Sequence, residues 1–240
     1  MKNDPAVVEK FITEFGLSLP GKKIDKLCQF LCRLAEANKK TNLTSLTAWD
    51  DMVIKHLLDS LVLLKTPWWQ EEGSLMDVGS GAGFPGLLLA LLFPEKEIYL
   101  LEANKKKARF LQAIKEEQGL SSLFILPDRA ETIARHQSYR EKNFLVVARA
   151  VAALPSLLEI TLPFCRLGGF FIAYKGPRAW EELIEAAKAA GILGGSFFST
   201  HPYQLPCAKG ERILLVYRKI FPTPDKYPRR PGIPEKRPLT

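Results

Sequence analysis

Apolar residues change their spacing near residue 75. Before that point they recur at helical intervals. Ile24, Leu27, Cys28, Leu31 and Leu34 lie a turn apart and predict an amphipathic helix. Asp4-Pro5 predicts an earlier helix start, with Asp as cap and Pro at the first helical position, running to Phe15. Thr47 is expected to cap a third helix, with Asp50 and Asp51 in its first turn, where the helix dipole favours anions. His56, Asp59 and Ser60 fall within one turn of it.

From Leu75 onward, short apolar runs alternate with amphipathic ones. Strands are expected at 75–78, 97–101, 123–126, 144–148, 169–174 and 212–219. Helices are expected at 86–93, 104–118, 154–165 and 178–190, with a short one near 130–136. This alternation predicts an α/β fold: a mostly parallel sheet with helices on both faces. Such sheets bind ligands at the carboxyl ends of their strands.

The first strand leads into Asp77-Val78-Gly79-Ser80-Gly81-Ala82-Gly83-Phe84-Pro85-Gly86, with four glycines across eight positions. A strand, a bare turn and a helix N-terminus form a place for a nucleotide-like ligand. Two ligands fit. The segment Gly81 to Gly86 matches G-x-G-x-x-G, a dinucleotide pattern. The spacing of Asp77, Gly79, Gly81 and Gly83 matches the related pattern of S-adenosylmethionine (AdoMet) sites, where Asp77 could assist the cationic ammonium. Strand two ends in Glu102, about 20 residues on, where a carboxylate can accept from ribose hydroxyls. Both ligands make that demand. Strand three is followed by Asp128-Arg129-Ala130-Glu131, where a small residue and a polar one could lie against an adenine and its exocyclic amine. Strands four and five end at Arg149 and Lys175, which would add positive charge at the open side. Arg149 sits between apolar stretches, and a buried guanidinium needs a partner.

Composition narrows the setting. The chain has 240 residues, 47% hydrophobic and 25% charged, as in an ordinary soluble globule. Its four cysteines form no zinc spacing, which suggests reduced thiols in a cytoplasmic protein. The N-terminus lacks a signal-peptide pattern, and no apolar run approaches the ~20 residues of a membrane span. No metal site is expected: Cys28 and Cys32 lie one turn apart without a third ligand nearby. A net charge of +8 favours a polyanionic partner. From Asp225 the chain is proline-rich, with five cations against two acids. It is expected to be extended and suited to phosphate contact.

Several of these segments occur together in one order. They are Asn42-Leu43-Thr44, His56-x-x-Asp59-Ser60, the Asp77 to Gly86 segment, Ala130-Glu131, Arg149-Ala150 and Tyr227-Pro228-Arg229-Arg230-x-Gly232-x-Pro234. In this the chain resembles the small-subunit ribosomal RNA guanine-N7 methyltransferases, from about Asn42 to Leu239. The resemblance implies a Rossmann-like class I AdoMet-dependent methyltransferase, with a mostly parallel seven-stranded sheet and a helical N-terminal extension. It implies residues 1–66 as that extension, 67–220 as the AdoMet-binding core and 221–240 as a basic tail. AdoMet is implied at Gly79, Phe84, Glu102, Ala103, Asn104, Ala130, Glu131 and Arg149. The partner implied is 16S rRNA or the assembling small subunit, bound by a monomer, and the site is N7 of a guanine in the decoding-region loop.

The residues agree with that chemistry. Guanine N7 presents a lone pair and no proton, so attack needs no general base. An exocyclic amine would call for a proton-handling motif after strand four, where Ala148-Arg149-Ala150-Val151 stands instead. A pyrimidine carbon would call for a cysteine nucleophile, for which Cys207 is the sole candidate. Catalysis is expected from positioning and charge, with Arg149, His56, Asp59 and Lys175 as candidates. A His56–Asp59–Ser60 hydrolytic triad lacks an oxyanion turn beside it. An NAD(P)-dependent oxidoreductase and a non-catalytic RNA-binding factor remain the alternatives.

Overall fold

Seven strands form one sheet in the order β3-β2-β1-β4-β5-β7-β6. A computed structural model describes residues 4–70 and 73–239. β1 (Leu75–Val78), β2 (Ile98–Leu101), β3 (Leu123–Leu126), β4 (Asn143–Arg149) and β5 (Cys165–Lys175) run parallel. β7 (Glu211–Lys219) is antiparallel to β5, and β6 (Gly195–Gln204) is antiparallel to β7 at the edge. β1 is apolar apart from Asp77 and buried throughout, as a strand covered on both faces must be. The connection from β3 back to β4 crosses beside β1. That reversal opens a crevice at the carboxyl ends of β1 and β4.

The pattern of apolar residues misses one strand. β6 reads Gly-Ser-Phe-Phe-Ser-Thr-His-Pro-Tyr-Gln, with no two-residue alternation. At an edge only one side needs pairing, so Pro202 is tolerated there. The expected helix over 154–165 ends at Thr161, and β5 begins at Cys165. The expected helix over 178–190 divides into Ala179–Glu185 and Ala187–Ile192.

The N-terminal helices cover one face. α1 (Pro5–Glu14) starts as expected, with the Asp4 side chain accepting from the Ala6 N–H. α2 (Gly21–Thr41) buries Ile24, Leu27, Cys28, Phe30, Leu31 and Leu34. It ends at Asn42, whose φ of 49° is left-handed, a conformation Asn tolerates. The third helical segment begins at Trp49 and takes no side-chain cap, so Thr47 does not have the expected role. Met52–Leu58 is wound as a π-helix, a rare form that is frequent at functional sites.

The tail is placed differently from the extended, phosphate-facing arm that its composition suggests. Arg229 turns inward and pairs with the fully buried Glu159, at 2.6 Å from Nη2 to Oε2. The Ser156 hydroxyl donates to the Pro234 carbonyl at 2.8 Å. Arg140 donates to the carbonyls of Thr223 and Tyr227. These carbonyls and Glu159 lie within reach only in the folded chain, so composition could not reveal the docking.

Candidate active site

A cavity of about 540 Å³ opens at the carboxyl ends of β1, β2 and β4, a size typical of small-molecule sites. Its floor is the glycine turn. Gly79 has φ +75°, and a Cβ there would stand 2.6 Å from Val151 Cγ2. Gly86 packs the following helix onto the sheet, and a Cβ there would meet Leu100 and lie 2.8 Å from Asp77 Cβ. The glycines therefore serve both backbone conformation and close approach.

Asp77 is not placed to meet an ammonium group. It is fully buried behind the cavity wall, and its Oδ2 accepts from the Gly86 N–H at 2.8 Å. It ties the strand to the helix start. Burial pushes its carboxyl up to about 7, against the pull of the Gly86 N–H and of Arg149.

Glu102 lines the cavity and is held rigidly. Oε2 accepts from the Gly81 N–H at 2.8 Å and Oε1 from the Asn104 N–H at 2.7 Å. Each oxygen keeps a further lone pair for hydroxyl donors. Gly79, Phe84, Ala103, Ala130, Glu131 and Arg149 line the same cavity. Asn104 does not. Its side chain caps the helix Lys105–Glu117, accepting from Lys106 and Lys107 N–H. Glu131 is 3% exposed, and its Oε1 accepts from the Gly232 N–H at 2.9 Å. The docked tail thus reaches the wall of the cavity.

The opposite wall is a connected polar chain. Arg149 Nη1 donates to Asp59 Oδ2 at 2.9 Å and to the Lys55 carbonyl at 3.1 Å. Arg149 Nη2 meets His56 Nδ1 at 3.1 Å. Asp59 Oδ1 accepts from the Tyr203 hydroxyl at 2.7 Å. His56 Nε2 lies 2.8 Å from Thr44 Oγ1. The imidazole also stacks on Phe84, with ring centroids 4.4 Å apart and planes at 15°. Burial and the adjacent guanidinium push His56 down to about 3, so it is neutral at physiological pH. Ser60 donates to the His56 carbonyl rather than to its ring, so the residues of the considered triad are not arranged as one.

Lys175 stands apart from this group. Its ammonium donates to the Ala152 carbonyl and pairs with Glu182 at 2.7 Å, and it does not line the cavity. Sequence reasoning gave no role to Thr44, Ser45, Lys107 or Val151, which do line it. The signal for Thr44 was the Asn42-Leu43-Thr44 segment. What brings it to the site is Asn38. Its side chain accepts from the Thr44 N–H at 2.8 Å and donates to the Thr44 carbonyl at 2.9 Å.

Known proteins match this chain closely. Residues 23–209 match the GidB family, described as rRNA small subunit methyltransferase G. A ribosomal RNA small subunit methyltransferase G of Carboxydothermus hydrogenoformans is 42% identical over 234 residues, covering 98% of this chain and 99% of the relative. That of Alkaliphilus metalliredigens is 39% identical over 226 residues, covering 94% and 95%. The fold is similar to that of a putative O-methyltransferase from Klebsiella pneumoniae, with a TM-score of 0.58, 14% identity, and coverage of 90% of this chain and 97% of that one.

Proposed function

We propose a reaction from one premise: the chain belongs to the rRNA small subunit methyltransferase G family. The reaction transfers a methyl group from AdoMet to N7 of a guanine in the decoding-region loop of 16S rRNA. The substrate is that RNA or the small subunit assembling around it. When bound, AdoMet supplies a methyl group on a sulfonium, open to in-line displacement. Glu102 would accept from its ribose hydroxyls, the bare backbone of Gly79 to Ala82 would receive its amino acid portion, and Ala130 with Glu131 would flank its adenine. Residues 1–66 would close the cavity from one side, and residues 67–220 would carry the cofactor. Lys107 and Arg129 on the rim would add positive charge for RNA.

The observation that carries this reading is that the polar groups of the wall are already hydrogen-bonded. Both ring nitrogens of His56 are engaged, by Arg149 and Thr44, both Asp59 oxygens are occupied, and Arg149 is paired. None is free to take a proton from a substrate. Guanine N7 requires no such group. An exocyclic amine would, and a pyrimidine carbon would need a thiol. Cys207 is not among the cavity residues. The stacked rings of His56 and Phe84 provide an aromatic surface beside the site, as unstacked bases require. In this reading the enzyme acts as a monomer in the cytoplasm. No described helix is long and apolar enough to cross a membrane.

The test is to incubate the protein with unmethylated small subunits and isotope-labelled AdoMet, then digest the rRNA and analyse nucleosides by mass. Labelled 7-methylguanosine is expected. Label on a pyrimidine or on an exocyclic amine overturns the reading.

A further inference from the structure

Hydrogen-bond directions along the polar wall can be followed from one end to the other. A guanidinium has donors only, so His56 Nδ1, 3.1 Å from Arg149 Nη2, must accept. The proton of the neutral imidazole is then on Nε2. That N–H donates to Thr44 Oγ1 at 2.8 Å. Thr44 Oγ1 also accepts from the Leu46 N–H at 3.1 Å. A hydroxyl oxygen has two lone pairs, and both are now used. The backbone of Thr44 is clamped on each side by Asn38, so the side chain cannot turn away with its loop. What remains is one O–H proton with a fixed direction, on a residue that lines the cavity.

An ordinary Ser or Thr hydroxyl reads either a donor or an acceptor on a base, because it can rotate. Thr44 can only donate. Next to N7, guanine presents the O6 acceptor, whereas adenine presents the N6 amino donor. An obligate donor at this place accepts the first and refuses the second. Resting on the reading that guanine N7 is the methylated atom, we propose that the Thr44 hydroxyl donates to O6 of the target guanine. The chain Tyr203–Asp59–Arg149–His56 serves to hold it in the donating orientation. Thr44 is then a specificity residue. As N7 becomes cationic, O6 becomes a poorer acceptor, so this bond aids base selection and alignment rather than the chemical step.

The test uses target RNA in which the modified guanine is replaced by 2-aminopurine, which keeps N7 and lacks O6. Wild-type protein should lose about tenfold to a hundredfold in kcat/KM on this RNA, the range of one good base contact. Thr44→Val should lose a similar factor on guanine RNA, lose little more on 2-aminopurine RNA, and bind AdoMet as wild type does. Thr44→Ser should recover most of the guanine activity. Full additivity of the base change and Thr44→Val overturns the proposal, as does a Thr44→Val protein that discriminates like wild type. Failure of the wild type to methylate guanine N7 at all overturns the underlying reading instead.

Discussion

Arg149 Nη1 and Asp59 Oδ2 stand 2.9 Å apart across 90 residues of sequence, with side chains 13% and 9% exposed. The pair joins the helical segment of residues 49–61 to the end of β4. Removing one member leaves the other buried without its counter-charge, which costs about 3–5 kcal/mol in comparable pairs. Asp59→Ala is therefore expected to lower stability by about that amount in denaturant titrations. Tyr203→Phe removes one hydrogen bond to the same carboxylate and should cost less, about 1.5–3 kcal/mol. Equal effects from the two substitutions would contradict the importance assigned to the ion pair.

The glycine turn gives a second prediction. Gly79→Ala adds a Cβ against Val151 at a positive φ, so AdoMet affinity measured by calorimetry should fall at least about tenfold, a loss of roughly 1.4 kcal/mol. Gly21→Ala, where a Cβ meets nothing within 4 Å, should leave affinity unchanged.

The docked tail separates two roles among its cations. Arg229→Ala strands the fully buried Glu159 and should destabilise the fold by about 3–5 kcal/mol. It should also weaken AdoMet binding, because Gly232 braces Glu131. Substituting Arg230, Lys236 and Arg237 by Ala should instead lower RNA affinity and flatten its salt dependence while sparing stability. Filter binding at several salt concentrations, beside thermal melts, distinguishes these outcomes.

Two buried groups give opposite pH dependences of stability. The His56 pKa is lowered in the folded state, so between about pH 3 and 6.5 the unfolded chain binds more protons and stability rises with pH. The Asp77 pKa is raised to about 7, so above its ordinary range of about 4 the unfolded chain ionises first and stability falls as pH rises to 7. Asp77→Asn should therefore make stability rise more steeply between pH 4 and 7. His56→Gln should make it fall. Denaturant midpoints at half-unit pH steps check both slopes.

The alternation of elements, the glycine turn and the carboxylate after strand two are legible in the order of residues alone. Each rests on local rules: side-chain period, permitted φ values, and a fixed distance along the chain from a strand end. That order was silent on β6, where an edge position relaxes the alternation that marks inner strands. Asp77, Lys175 and Arg229 have residue types that suit a ligand, yet folding turns each toward a partner inside the protein. Which polar groups are already paired emerges from the folded arrangement. A carboxylate or guanidinium takes whatever partner folding brings within 3 Å, and for Asp59 and Arg149 that partner lies 90 residues away.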